Sequence, residues 1–277
     1  MRPPFMPEDA LLSHRNNLLQ KCRLSQDRDH QALCQEIDRK YTAYLAALVP
    51  ERIAVGDLGA AVAAVGSYLD FAKEVEATFS RFNWRSDFAA SILPEFIYRT
   101  LGIALTARGF PPLFSTRDSI VEVSLSGTAG GGWDVRRKNQ DLCIGLRREK
   151  IVRQNGEELF LVPLIAMEVK TNIDINKLNG LDYSAERLKR TFPASKYILV
   201  TETIDFSLDQ NYASGSIDEI YTLRKQVRSQ ARREKKPLEV DVFTQLQSDV
   251  VEIVRRASFT MGHVYDRLEI GKLISVE

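Results

Sequence analysis

With 277 residues the chain is long enough to bury a full core, and its 38 basic and 37 acidic side chains leave a formal charge of only +1. That balance excludes a uniformly basic surface, so any contact with nucleic acid has to come from local clustering of charge. The longest nearly uncharged stretch, Leu58 to Leu69, is too short to span a bilayer, and Met1–Pro7 lacks the apolar segment of a secretory signal. Three cysteines (Cys22, Cys34 and Cys143), odd in number and without disulfide-like spacing, fit a reducing compartment, and the expected location is the cytoplasm.

The first hundred or so residues read as helical. Val62, Val65, Leu69, Ala72, Val75, Phe79 and Phe82 draw one apolar stripe on a helix beginning near Leu58, with Asp57 as its expected N-cap. A second helix is predicted over 86–107, with Phe88, Ile92, Phe96, Ile97 and Leu101 on its face. Pro94 inside it predicts a kink, or a start close by. His14, Cys22, His30 and Cys34 lie in polar helical sequence at spacings that match no usual zinc signature. His263 has no serine or cysteine elbow to work with.

The character changes after Gly109-Phe-Pro-Pro112. Ser119 to Ser126 is rich in β-branched residues and reads as a strand, and Gly127–Gly132 is a connector without the Lys-Ser/Thr ending of a phosphate-binding loop. Two apolar runs follow, Asp141–Leu146 and Leu159–Val169, separated by Gln154-Asn-Gly-Glu157, a strong hairpin signal. A helix near 182–191, a strand over 197–201 and two further helical segments complete the chain. Helices, then strands, then helices again predict an α/β or α+β fold: a helical N-terminal region over 1–110 packed on a core over 111–277 that carries a central mixed sheet.

The hairpin brings charges together. With Asn155-Gly156 as a two-residue turn, Gln154 faces Glu157, Cys143 faces Glu168 and Asp141 faces Lys170. Side chains alternate along a strand, so Asp141, Glu168 and Lys170 share one face, roughly 5 Å apart when opposed and about 7–8 Å on the diagonal. A bulge would shift this register, and Pro163 is its expected place. Glu168 and Lys170 end an otherwise apolar strand and Asp141 opens another. Charges in such places need partners, because an unpaired buried charge costs several kcal/mol, on the order of 3–5. Two carboxylates can hold Mg²⁺ through oxygen, and a lysine beside the ion can orient or help deprotonate a water that attacks a phosphodiester. An acid, any residue, then lysine is a common pattern: Asp38-Arg-Lys40 and Glu234-Lys-Lys236 also carry it, in solvated helical stretches. Only Glu168-Val-Lys170 terminates an apolar strand with a matched aspartate upstream.

Seven basic residues between Leu223 and Pro237, among them Arg224, Lys225 and Arg228, face one acid, Glu234, on what reads as a helix. Such a run is ordinarily a solvated face; beside a nuclease site it becomes a candidate for phosphate contacts. Arg136, Arg137 and Lys138, just before Asp141, form a second candidate group, and Arg187, Lys189 and Arg190 a third.

Asp141 followed by Glu168-Val-Lys170 on the neighbouring strand resembles the core of the PD-(D/E)XK nucleases, with Gln140 standing where that name has proline. Longer strings, including Asn83-Trp-Arg-Ser-Asp87, Ser91–Phe96, Arg136–Asn139, Glu168–Asn172, Ser184–Arg190, Ile217–Tyr221 and Gly262–Arg267, resemble one subunit of the BbvCI-type restriction endonucleases over nearly the whole chain. The resemblance implies a Type II restriction endonuclease built from two related subunits, each cutting one strand of a short asymmetric DNA site. It implies Asp141 and Glu168 as Mg²⁺ ligands, Lys170 as the water-orienting lysine, and Glu95 as an additional acid at the metal. A homodimer would serve a palindromic target. Two other readings stay open on the sequence: a repair or mobile-element nuclease with the same core, and a catalytically inactive DNA-binding partner subunit.

Overall fold

The computed structural model describes residues 7–22, 27–82, 87–116, 119–125, 127, 132–153, 156–209, 212–258, 265–266 and 268–271. The N-terminal part is helical: α1 Ser13–Cys22, α2 Arg28–Ala46, α3 Pro50–Ala54, α4 Gly59–Thr78 and α5 Ile92–Ala107. α4 follows the predicted stripe, with Val62, Val65, Leu69, Ala72 and Val75 buried. Its N-cap is Leu58 rather than Asp57, whose carboxylate is held by Arg52 Nε at 2.7 Å. α5 starts at Ile92, so Pro94 lies in the first turn, where a missing N–H costs nothing and no kink is required. Cys22 and Cys34, which the spacing left unpaired, form a disulfide between α1 and α2 with a Cα–Cα distance of 5.7 Å, while Cys143 is buried and free. His263 and 83–86 lie outside the described residues.

Among the described residues the central sheet has five strands: β1 Leu113–Ser115, β4 Leu142–Gly145, β7 Ile165–Asp174, β8 Lys196–Asp205 and β9 Glu219–Thr222. They lie in the order β1-β4-β7-β8-β9; the first three are antiparallel and the last three parallel. β2 Ser119–Leu125 with β3 Trp133–Lys138, and β5 Arg148–Arg153 with β6 Gly156–Leu161, make separate two-stranded ribbons. One sheet face, with Leu142, Ile144, Met167, Val169, Ile198 and Val200, joins a single apolar cluster with α4, α5 and α8 (Val240–Ala257). The opposite face, with Cys143, Ala166 and Tyr197, is covered by Ala185 and Leu188 of α6 (Ile175–Thr191). α6 begins earlier than predicted because the Asp174 carboxylate accepts from the Lys177 N–H at 2.9 Å and caps it.

The hairpin differs from expectation in one respect. Arg153 pairs with Gly156 and Leu142 with Met167, so the register is shifted by two residues; positions 154–155 lie outside the described residues. Gly156 opens β6 at φ +129, a conformation open to glycine and costly for other residues. A two-residue slip preserves the face of every side chain, so the predicted grouping survives. No residue is inserted at Pro163: the same register holds on both sides of it. Instead the ladder breaks where the ribbon leaves the sheet, and a Cβ on Gly145 would lie 2.3 Å from the Val162 carbonyl oxygen.

The basic stretch is also reorganised. Its helix, α7, covers only Arg228–Arg233, because Val227 bridges to Ile204 and the Gln226 amide ties the loop together. Gln226 Nε2 donates to the Glu234 carbonyl, and its Oε1 accepts from the Lys236 N–H, each at 2.9 Å.

Candidate active site

β4 and β7 deliver the predicted residues to one place. Leu142 opposite Met167 puts Asp141 beside Glu168, rather than beside Lys170, and Lys170 reaches back across the diagonal. Asp141 Oδ2 accepts from the Val169 N–H at 2.7 Å and from Lys170 Nζ at 2.8 Å; Lys170 Nζ also lies 2.7 Å from Glu168 Oε2. Glu168 is 3% exposed, whereas the side chains of Asp141 and Lys170 are 31% and 35% exposed, so the cluster opens to solvent on the Asp141 side.

Two further side chains belong to it. Lys138, at the end of β3, places Nζ 2.9 Å from Glu168 Oε1 and donates to the Tyr197 hydroxyl at 3.1 Å; that hydroxyl points back to Glu168 Oε1 at 3.4 Å. The sequence puts Lys138 among the candidate contacts to the DNA backbone and carries no sign of Tyr197. Its position follows only from the parallel pairing of Ala166 with Tyr197, between strands 31 residues apart in sequence. Gln140, 2% exposed, has neither amide atom partnered among the described residues.

The charges bias one another. Burial would raise the Glu168 carboxyl, but Lys170 and Lys138 outweigh it and hold that group below the ordinary range. Burial raises Asp141, aided by the negative charge of Glu168, against the pull of Lys170 and the Val169 N–H. Lys170 would be lowered by burial, yet the two carboxylates raise it, so it stays an ammonium. Tyr197 is raised by burial and by Glu168 and stays a neutral phenol.

The donor set suits a hard cation. Two carboxylates stand side by side with ammonium groups on their oxygens, which marks a place where positive charge is favourable. Among the described residues no third carboxylate, histidine or cysteine joins them. Mg²⁺, which takes one or two carboxylates and keeps several waters, fits such a pair.

Glu95 is placed elsewhere. It is 1% exposed, and its Oε2 accepts from the N–H groups of His14 and Arg15, while Oε1 accepts from Tyr41 and Arg99. All four donors come from α1, α2 and its own helix, so the expected additional metal acid is instead a buried cap on the start of α1. Arg224 is likewise removed from the DNA-contacting group. It is 1% exposed and donates to Glu202 Oε2 at 2.9 Å, Asp70 Oδ1 at 3.0 Å and the Lys236 carbonyl.

The other basic candidates sit at the surface in ion pairs. Lys225 pairs with Asp241, Arg228 with Asp205 at 3.1 Å and Lys189 with Asp218 at 2.6 Å. Arg136, Arg137, Lys138, Ser184 and Arg187 line a cleft of about 370 Å³ between β3 and α6. Glu122 of β2 partly neutralises it, pairing with Arg187 and lying 3.7 Å from Arg136.

A solved structure described as "native BbvCI A2B2 tetramer at low resolution" is 41% identical to this chain, covers 92% of it and is itself covered to 97%, with a TM-score of 0.69. The Bpu10I restriction endonuclease family matches residues 108–239. The chain belongs to this family of restriction endonucleases. The matched segment holds β4, β7 and β8 and hence the whole Asp141–Glu168–Lys170–Lys138–Tyr197 cluster, so the residues gathered here lie in the segment that matches the restriction-endonuclease family. No curated protein sequence matches. Among the described residues no helix is long and apolar enough to cross a membrane.

Proposed function

We propose that this restriction endonuclease chain hydrolyses one strand of duplex DNA, using Mg²⁺ held by Asp141 and Glu168 and a water oriented by Lys170. The observation that carries this reading is the single ammonium of Lys170 lying 2.7–2.8 Å from both carboxylates at the mouth of the cluster. A bound Mg²⁺ would supply Lewis-acid stabilisation of the charge that develops on the scissile phosphate. The rest is the work of the chain itself. The Val169 N–H fixes the Asp141 carboxylate, the Tyr197 hydroxyl fixes that of Glu168, and Lys170, held as an ammonium, orients the water by donating a hydrogen bond to its oxygen. Arg136, Arg137, Lys138 and Arg187 grip the backbone beside the site, and Lys189, Lys225 and Arg228 exchange their carboxylate partners for phosphates farther out.

One site cuts one strand, so a double-strand break needs a second, related subunit. The A2B2 description of the BbvCI structure supports a heteromeric assembly with such a partner. Such an enzyme meets DNA in the cytoplasm, its expected place of action. The test is cleavage of supercoiled plasmid in Mg²⁺ by the chain with its partner subunit. Wild type is expected to linearise the plasmid and Lys170→Glu only to nick it; linearisation by the variant would remove Lys170, and with it this site, from the chemistry.

A further inference from the structure

Lys138 occupies two settings at once. It lines the basic cleft with Arg136, Arg137 and Arg187, and its ammonium rests on Glu168, the more deeply buried of the two candidate metal ligands. Lys170 already spans both carboxylates, so the pair of carboxylates carries two lysine cations. A divalent cation entering there would add its charge to a cluster whose formal charges already cancel. One lysine then has to move, because like charges a few ångströms apart repel strongly in a partly buried site. Lys170 is tied to both carboxylates, whereas Lys138 touches only one of the two, Glu168, and reaches it from the cleft, with its side chain 29% exposed.

Resting on the reading of Asp141 and Glu168 as metal ligands, we propose that Lys138 is a displaceable counter-cation that couples metal binding to DNA binding. Without metal it neutralises Glu168 and holds the carboxylate in place together with Tyr197. When the metal enters, Lys138 swings into the cleft, where a DNA phosphate replaces Glu168 as its partner. A phosphate in the cleft, equally, draws Lys138 away and opens Glu168 to the metal. Each ligand therefore favours the other, and by linkage the two effects are equal. Lys138 is thus a positioning residue for the metal ligand and a contact for the substrate backbone. With neither ligand bound, the formal charges of the site cancel.

The first readout needs no turnover. Mn²⁺, another hard cation that takes oxygen ligands, is titrated into the full chain without DNA, and free ion is read by electron paramagnetic resonance. Lys138→Met is expected to bind Mn²⁺ about 3- to 10-fold more tightly than wild type, because a competing charge is gone. Lys138→Arg, which retains that charge, is expected to stay within about 2-fold of wild type. Cleavage of this chain's strand in a single turnover with saturating Mn²⁺ is expected to fall about 10-fold or more in Lys138→Met, which has lost its phosphate contact. The opposite signs set this apart from a structural role, which would weaken both. Should Lys138→Met lose its native circular dichroism, Lys138→Gln takes its place in the same titration. Unchanged or weaker Mn²⁺ binding by the folded variant overturns the inference. Asp141→Asn separates the levels: if it abolishes Mn²⁺ binding while Lys138→Met tightens nothing, only the role of Lys138 falls. If neither variant changes binding, the metal-site reading falls as well.

Discussion

Glu95 and Glu168 are both almost fully buried glutamates, each with a cation and a tyrosine against it, yet they do different work. Glu95 is closed in: two backbone N–H groups, Tyr41 and Arg99 satisfy both of its oxygens, and every donor is held by a helix. Glu168 is neutralised by two lysines whose long stems reach solvent, beside an aspartate that is itself open. A carboxylate satisfied by fixed donors resists any ligand, since displacing them would strand buried polar groups. One satisfied by flexible ammonium groups can exchange them for a metal. Burial and net charge do not separate the two sites; the rigidity of the partners does.

Matched substitutions put that difference at risk. Glu168→Gln is expected to slow cleavage of this chain's strand by about 10³-fold or more, the scale of losing an electrostatic element of the transition state, as read in single turnovers on end-labelled duplex. Near wild-type cleavage by Glu168→Gln would erase the distinction. Arg224→Met removes one of the two cations on buried Glu202, leaving Lys73, and with it the hydrogen bond to the Lys236 carbonyl, and is expected to cost about 3 kcal/mol in urea unfolding. A small loss, accompanied by weakened DNA binding, would return Arg224 to the DNA surface.

His14, packed beside Glu95, gives a pH test. Its Nδ1–H donates to the Phe88 carbonyl at 3.0 Å, and its Nε2 accepts from the Tyr68 hydroxyl at 2.6 Å. Burial, only partly offset by Glu95 and that carbonyl, lowers its pKa from 6.5 to about 4. Between those values the unfolded chain takes up a proton that the folded one refuses. The contribution of His14 to stability is therefore complete above pH 6.5 and is lost as the pH falls through about 4, on the order of 3 kcal/mol in all. Thermal unfolding from pH 7.5 to 4 should show that slope in wild type and not in His14→Gln. Glu95→Gln is expected to cost about 2–3 kcal/mol by breaking charged hydrogen bonds, while Mn²⁺ affinity and single-turnover cleavage stay at wild-type values. A loss of Mn²⁺ binding in that variant would make Glu95 a metal ligand after all. The smallest effect belongs to Lys225→Ala, whose exposed pair with Asp241 is screened by water, so the urea unfolding midpoint should stay at the wild-type value.

Much of the site was legible because it depends on local rules. Alternation along β4 and β7 put Asp141, Glu168 and Lys170 on one face, and that grouping tolerated a two-residue error in register because the strand period is two. Arg224 was misread for the opposite reason. A run of arginines and lysines looks the same whether it faces water or not. Its burial depends on Glu202 and Asp70, 22 and 154 residues away. Glu95 was misread because a glutamate in a helical first turn reveals nothing of the neighbouring helix that it caps.

The sequence by itself determined the apolar stripe of α4, a helix with either a kink or a start near Pro94, the strands that carry the acidic pair and lysine, and the face those three share. Each follows from periods and turn chemistry that act over a few residues. Only the tertiary structure decided that Tyr197 and Lys138 complete the cluster, that Cys22 meets Cys34, and which buried charges are closed and which are exchangeable. Those outcomes depend on parallel strand pairing and helix packing between distant segments, and a local pattern carries no record of what lies opposite it.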